Sequence, residues 1–197
     1  TKFYKSLERK LAQISTKIIA ISEKQKEELS MDHQICPAEK IEVIPLGFDL
    51  NRFQDGIAKK REVFREEFSL GEDDIAVSIV GRLVPIKNHD LFLDSIKWVK
   101  ERIERRIKGF IVGDGESRNH LENYCTEIGL TYSSDSEDDV DIYFTSWVKN
   151  VDFVNSGSDI IALTSKNEGT PVSLIEAQAG NRAIVSTRVG GIEDVVI

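Results

Sequence analysis

The chain has 197 residues, with 26 Lys and Arg against 34 Asp and Glu, for a formal net charge of −8. Hydrophobic residues make up 40% and charged residues 30%, which excludes a disordered chain and suits one domain and a fraction. A pI of about 5.0 leaves no basic stripe for a nucleic-acid strand, but a small anion needs only one or two well-placed cations.

Cys36 and Cys125 stand far apart, outside any CxxC pattern and with no histidine at metal-ligand spacing. Neither a disulfide framework nor a metal site is expected, and a reducing, cytoplasmic setting is. No apolar run approaches the ~20 residues that span a bilayer. Residues 1–5 lack the apolar core of a signal peptide. The chain starts without Met and stops in the apolar run Val195-Val196-Ile197, which reads as a cut through a domain.

In chain order, residues 17–21 read as a buried strand, and Ser22 as the cap of a helix through Leu29. Residues 41–44 form a second short strand, ended by Pro45-Leu46-Gly47-Phe48-Asp49, and residues 50–62 are polar and irregular. Residues 75–80 are a continuous apolar strand of the kind covered on both faces in parallel sheets. A helix from Asn88 carries Leu91, Ile96, Val99 and Ile103 at helical spacing. Strand 109–112, helix 118–128, an acidic solvated loop at 133–141, and strands at 142–144, 159–163 and 183–186 follow. Strand and helix alternating at this spacing predict right-handed crossovers and an α/β, doubly wound parallel sheet. Ligands of such sheets lie beyond the carboxyl ends of the strands.

Three loops at that edge carry unusual residues. In Gly81-Arg82-Leu83-Val84-Pro85-Ile86-Lys87 two cations flank a helix start, an arrangement suited to a diphosphate. Gly113-Asp114-Gly115 follows a buried strand and allows close backbone approach, but Arg118 occupies the third glycine place of a dinucleotide fingerprint. The third loop is Glu168-Gly169-Thr170-Pro171-Val172-Ser173, leading into a helix with Glu176. Pro171 fits the first helical position, leaving the Val172 and Ser173 N–H groups free at a positive helix end. Glu176, on a largely apolar helix, must be paired or face a polar ligand. His33, His89 and His120 are scattered and read as surface or capping residues.

Glu168 to Glu176 resembles the Glu-x7-Glu signature of retaining glycosyltransferases with the GT-B fold, family 4 in particular. Residues 81–87, 112–115, Trp147-Val148, 159–165 and 189–196 resemble that family's other segments in order, and residues 45–49 its interdomain junction. The resemblance implies a Rossmann-like nucleotide-sugar (donor) domain at 63–197, incomplete at its end. A linker at 45–62 and the tail of an acceptor domain at 1–44 would precede it. Arg82 and Lys87 would then neutralise the diphosphate without a metal or cofactor, and Glu168 would contact the transferred sugar. Glu176 would accept the ribose hydroxyls, Gly81 and Gly113 would line the phosphate site, and the backbone of residues 169–173 would contact sugar and diphosphate. The segment Trp147-Val148 would meet the base, most often uracil.

The implied activity is transfer of a sugar from a nucleotide diphosphate, UDP favoured, to a carbohydrate or lipid-linked acceptor with retention. The implied setting is cytoplasmic, with peripheral membrane association through the acceptor domain, and the fragment is expected to be inactive by itself. Thr170 stands where an aromatic residue is common, and the glycine of the Ala179-Gly180-Asn181-Arg182-Ala183 segment is shifted by one position. Open alternatives are a phosphorylase or nucleotide-sugar epimerase on the same fold, and a non-catalytic binding module. The first needs a cofactor lysine or an inorganic phosphate site, which Lys87 alone does not make. A decayed module would have lost one of Arg82, Lys87, Glu168 and Glu176.

Overall fold

In the computed structural model, which describes residues 2–196, the chain divides into the units Thr1–Asp49 and Leu50–Ile197. Ile197, the last residue of the terminal apolar run, lies outside the described residues.

The first unit opens with a helix that the sequence pattern leaves unassigned, α1 (Lys2–Ile14), in which only Ala12 is buried. Strand β1 (Ile18–Ala20) pairs in parallel with β2 (Ile41–Val43). The expected burial of β1 holds for Ala20 alone, since Ile19 is exposed. Between the strands, Ser22 caps α2 (Glu23–Glu27) by accepting the Gln25 N–H at 3.1 Å. Gln25 reaches back to the Ile21 N–H at 2.8 Å, a near relative of the reciprocal capping box. The chain then passes into a π-turn over Glu28–Asp32 rather than continuing as α-helix to Leu29.

In the second unit, residues 50–62 are not irregular. They form α3 (Asn51–Gln54) and most of α4 (Ile57–Glu67), with Phe53 and Phe64 buried. A polar surface hides such helices from a reading based on apolar spacing, because two phenylalanines supply much of the buried face. There follow β3 (Ile75–Val80), α5 (His89–Lys100), β4 (Ile107–Val112), α6 (Arg118–Ile128), β5 (Tyr132–Ser133) and β6 (Ile142–Ser146). The unit continues with α7 (Val151–Gly157), β7 (Ile160–Leu163), α8 (Val172–Ala179) and β8 (Ala183–Ser186).

All six strands of this unit are parallel, in the order β5-β6-β4-β3-β7-β8. The two-residue period sends alternate side chains to opposite faces. Val77, Ile79, Ile111, Phe144 and Ala162 pack against Phe92, Leu93, Leu121 and Cys125 of α5 and α6. Ala76, Phe110, Val112 and Tyr143 pack against Phe64, Phe68 and Val154 on the other face. Ile161 and Leu163 meet Leu174 and Ala177 of α8 on that second face. The acidic stretch 133–141 is more than a solvated loop: Asp141 is buried and accepts the Thr131 N–H at 2.9 Å and Lys100.

At the amino edge of the sheet, Asp159 accepts the Ala76 N–H at 2.8 Å and Arg61 Nη2 at 2.6 Å, with Arg65 Nη1 at 3.4 Å. Burial alone would raise its carboxyl, but the Ala76 bond and the two guanidinium groups outweigh that and hold it below the usual aspartate range. A depressed carboxyl contributes stability that is present above its unfolded pKa and lost as pH falls through the folded value. Asp159→Asn should therefore cost about 1.5–3 kcal/mol at neutral pH, read from urea unfolding. The gap from the parent chain should narrow as pH drops below the ordinary carboxylate range.

Candidate functional site

β3 and β7 are neighbours, with Val77↔Ile160, Ser78↔Ile161 and Ile79↔Ala162 in register, although β4, β5 and β6 lie between them in the chain. The sheet grows one way from β3 and returns to grow the other way from β7, which makes this pair the switch point of the fold. Ligands of doubly wound sheets lie beyond the carboxyl ends at such a point. The loops after β3 and β7 meet there.

These two loops are stitched together. The Lys166 N–H donates to the Ile86 carbonyl at 2.8 Å, and Thr164 Oγ1 donates to the carbonyls of Lys87 and Asn88 at 3.1 and 3.0 Å. Across the seam Lys87 Nζ meets Glu168 Oε1 at 2.5 Å, and the buried Ser165 hydroxyl donates to the same oxygen. Gly81 runs beside this lysine, since a Cβ there would lie 3.7 Å from Lys87 Cε. Arg82 is exposed, and its guanidinium has no partner among the described residues.

The glycines are explained by backbone packing. Gly113 has φ +140°, and a Cβ on it would fall 2.0 Å from the Gly81 carbonyl oxygen. Gly115, at φ +159°, is pressed in the same way on the Leu83 carbonyl. The turn after β4 thus carries the loop of residues 81–87 on its back. Gly190 and Gly191 do the same for the Glu168 loop: added Cβ atoms would lie 2.0 and 2.1 Å from the Glu168 and Gly169 carbonyl oxygens. The Gly191 N–H also donates to the Glu168 carbonyl at 3.0 Å. By contrast, a Cβ on Gly169 would meet nothing within 4 Å.

At the start of α8 the details differ from the sequence expectation. Pro171 is the cap rather than the first helical residue. The Val172 N–H is spent on the Thr170 carbonyl at 2.9 Å, because the turn tightens before the helix begins. The Gly169, Thr170 and Ser173 N–H groups have no acceptor among the described residues. At the far end the left-handed position is Asn181, at φ +55°, which asparagine tolerates. Gly180 is required instead by Asn155, whose Oδ1 would lie 2.4 Å from an added Cβ. The shifted glycine is thereby accounted for.

Trp147 is exposed and Val148 packs against the α4–α7 cluster. His89 is not a surface residue: it is 3% exposed, and burial brings its imidazole down to about 4, so it is neutral at physiological pH. Among the described residues no group of three His, Cys, Asp or Glu side chains could hold a metal ion, and no helix is long and apolar enough to cross a membrane.

The family pattern of glycosyl transferases group 1 matches residues 60–197. The chain belongs to this family. Over 190 residues it is 30% identical to the UDP-Gal:alpha-D-GlcNAc-diphosphoundecaprenol alpha-1,3-galactosyltransferase of Escherichia coli, covering 95% of this chain and 46% of that protein. It is 28% identical over 179 residues to the D-inositol 3-phosphate glycosyltransferase of Actinosynnema mirum, covering 89% of this chain and 42% of that protein. Among solved structures, Anabaena HepE in complex with UDP and glucose superposes with a TM-score of 0.82 at 20% identity, over 100% of this chain and 51% of that one. WaaG, a glycosyltransferase of lipopolysaccharide biosynthesis, gives 0.76 at 20% identity, over 91% of this chain and 46% of that one. The chain spans about half the length of these relatives. Its fold is the Rossmann-like half of the GT-B architecture.

Glu176 is the least satisfied group of the site. Half-buried on α8, its carboxylate has no hydrogen bond or ion pair among the described residues. Burial raises its carboxyl, Asp152 adds to the rise, and Arg52 opposes it. Residues 50–62 look like a linker in sequence, so Arg52 escaped the motif reading; its spacing from Asp152 carries no periodic signal. A carboxylate raised in the fold destabilises the native state while it is charged, and that cost is absent when both states are protonated. Glu176→Gln should therefore stabilise the unliganded protein at neutral pH, with the gain fading on acidification below its own range. Urea unfolding at two pH values checks it.

Proposed function

We propose that the Leu50–Ile197 unit is the donor half of a retaining glycosyltransferase that moves a sugar from a nucleoside diphosphate, UDP favoured, to a carbohydrate or lipid-linked acceptor. The observation that carries the reading is the Lys87–Glu168 pair at the switch point, 2.5 Å apart, beside the exposed Arg82 and the unspent N–H groups of residues 169, 170 and 173. The two loops and the start of α8 thus offer both cations with free amide donors and carboxylate acceptors. A sugar diphosphate asks for that combination: donors for the phosphates and acceptors for the hydroxyls.

Breaking the bond from the anomeric carbon to the phosphate oxygen builds negative charge on the diphosphate and positive charge on the sugar ring. Arg82, Lys87 and the start of α8 stabilise the leaving diphosphate, and a preorganised donor of this kind is worth about 3–4 kcal/mol. Charge neutralisation is thus assigned to the protein's own cations, with no metal or cofactor in the role. Glu168 faces the developing positive charge of the sugar, and Glu176 accepts the ribose hydroxyls. The base lies along Trp147-Val148.

In the free protein Glu168 neutralises Lys87, so the incoming diphosphate must draw the lysine away. Glu168→Gln frees Lys87, keeps a group of the same size on Ser165, and should tighten UDP binding several-fold while transfer by the full-length enzyme slows. Calorimetric titration with UDP and a transfer assay read the two effects; weaker UDP binding in this variant would contradict the assignment. Glu176→Ala should weaken UDP binding by about 1.5–3 kcal/mol, and Arg82→Ala should lower turnover with little change in the urea midpoint.

A further inference from the structure

A pocket of about 340 Å³ lies where α5 and α6 begin, on the face of the sheet that these two helices cover. Two side-chain pairs close the seam between the helices. Asp90 Oδ1 and His120 Nε2 lie 2.8 Å apart, and one turn further along the Tyr124 hydroxyl donates to Asp94 at 2.8 Å. Val84, Pro85 and Leu121 give the pocket an apolar side, and Glu116, Ser117 and Lys166 give it a polar one.

His89 also lines this pocket. Its side chain is buried, and Nε2 has no hydrogen-bond partner among the described residues. An unpaired buried nitrogen is costly unless something supplies its partner. The Glu116 carboxylate and the Lys166 ammonium belong to exposed residues and are likewise unpaired among the described residues. None of these three side chains has a part in the donor site. The pocket nevertheless adjoins it, because Val84 and Pro85 belong to the loop of Arg82 and Lys87, and Lys166 stands two residues before Glu168.

We propose that this pocket binds an uncharged sugar ring, of the kind a carbohydrate acceptor carries, with His89 Nε2 meeting one of its hydroxyls. Its service to the acceptor rests on the donor-site reading above. Burial keeps the His89 imidazole neutral at physiological pH, so one ring nitrogen donates and the other accepts. A hydroxyl does both, and so satisfies Nε2 in either tautomer. Asp90 and Glu116 outnumber Lys166, which disfavours an anion. No Phe, Tyr or Trp lines the pocket to receive an organic cation. Carboxylates accept from sugar hydroxyls, the lysine donates to sugar oxygens, and the C–H face of the ring packs on Val84, Pro85 and Leu121. A few polar groups set into an apolar wall are the usual make-up of a small-molecule site.

The test is nitrogen-edited NMR titration of the whole chain with methyl α-glucoside, methyl α-galactoside and N-acetylglucosamine in turn, with and without UDP. At least one sugar should shift the His89 imidazole and the Glu116 and Ser117 amides in a saturable way, and UDP should not displace it. His89→Leu removes the unpaired nitrogen and keeps an apolar group in its place. It should weaken that sugar about fivefold while the urea midpoint stays at or above that of the parent. Glu116→Ala, on the exposed rim, should weaken it about tenfold.

Saturable binding of none of the three sugars overturns the proposal, as does displacement of the sugar by UDP, which would place it in the donor site. A lower urea midpoint in His89→Leu with sugar affinity unchanged makes His89 a core residue and is equally contrary. If His89→Leu does not fold, Glu116→Ala decides, and unchanged sugar affinity there overturns the pocket. UDP binding by the parent keeps the donor site standing in each of these cases. Sugar binding at His89 in a chain that binds no UDP keeps the pocket and overturns the donor reading, and the acceptor role with it.

Discussion

The reversal of strand order between β3 and β7 is the constraint from which the site follows. Parallel strands joined by right-handed crossovers must place their helices on one face while the sheet grows in one direction and on the other face when it turns back. Here α5 and α6 lie against one face and α8 against the other. The loops that leave β3 and β7 therefore lie side by side at the carboxyl end of the sheet. Three registered pairs hold the two strands side by side, and the Thr164 and Lys166 bonds hold their loops. Lys87 and Glu168, 81 positions apart in sequence, meet because of that seam.

A second layer of backbone contacts keeps the loops in place. Gly113 and Gly115 lie against the carbonyls of residues 81 and 83, while Gly190 and Gly191 lie against those of residues 168 and 169. Each pair is a floor on which a functional loop rests, at a distance no Cβ permits. The glycines thus fix the carbonyl side of each loop at close backbone approach. Gly169 alone among these loop glycines has open space beside it.

Much of this was legible in the sequence, because it is local. The apolar runs at 75–80 and 109–112 identify the central strands, and residues 118–128 carry a helical pattern that the structure reproduces as α6. The loops carrying Arg82, Lys87 and Glu168 follow from the rule for doubly wound sheets. What escaped depends on contacts distant in sequence. The helices α3 and α4 present mostly charged surface, so apolar spacing misses them, and with them Arg52. His89 reads as a surface residue until the packing of α5 buries it. The tight turn that spends the Val172 N–H depends on the fit of the loop, not on the identity of Pro171. The displaced glycine at the end of α8 is explained only by Asn155, on a different helix.

These elements converge on one claim, that the Lys87–Glu168 pair marks the place of the donor diphosphate and yields to it. A crystal structure of the chain with UDP tests that claim most directly. The account predicts the diphosphate at the start of α8, within hydrogen-bond reach of Arg82 and of the N–H groups of residues 169, 170 and 173, with Lys87 Nζ moved from Glu168 onto a phosphate oxygen. UDP bound elsewhere, or bound there with the Lys87–Glu168 pair intact, would contradict it.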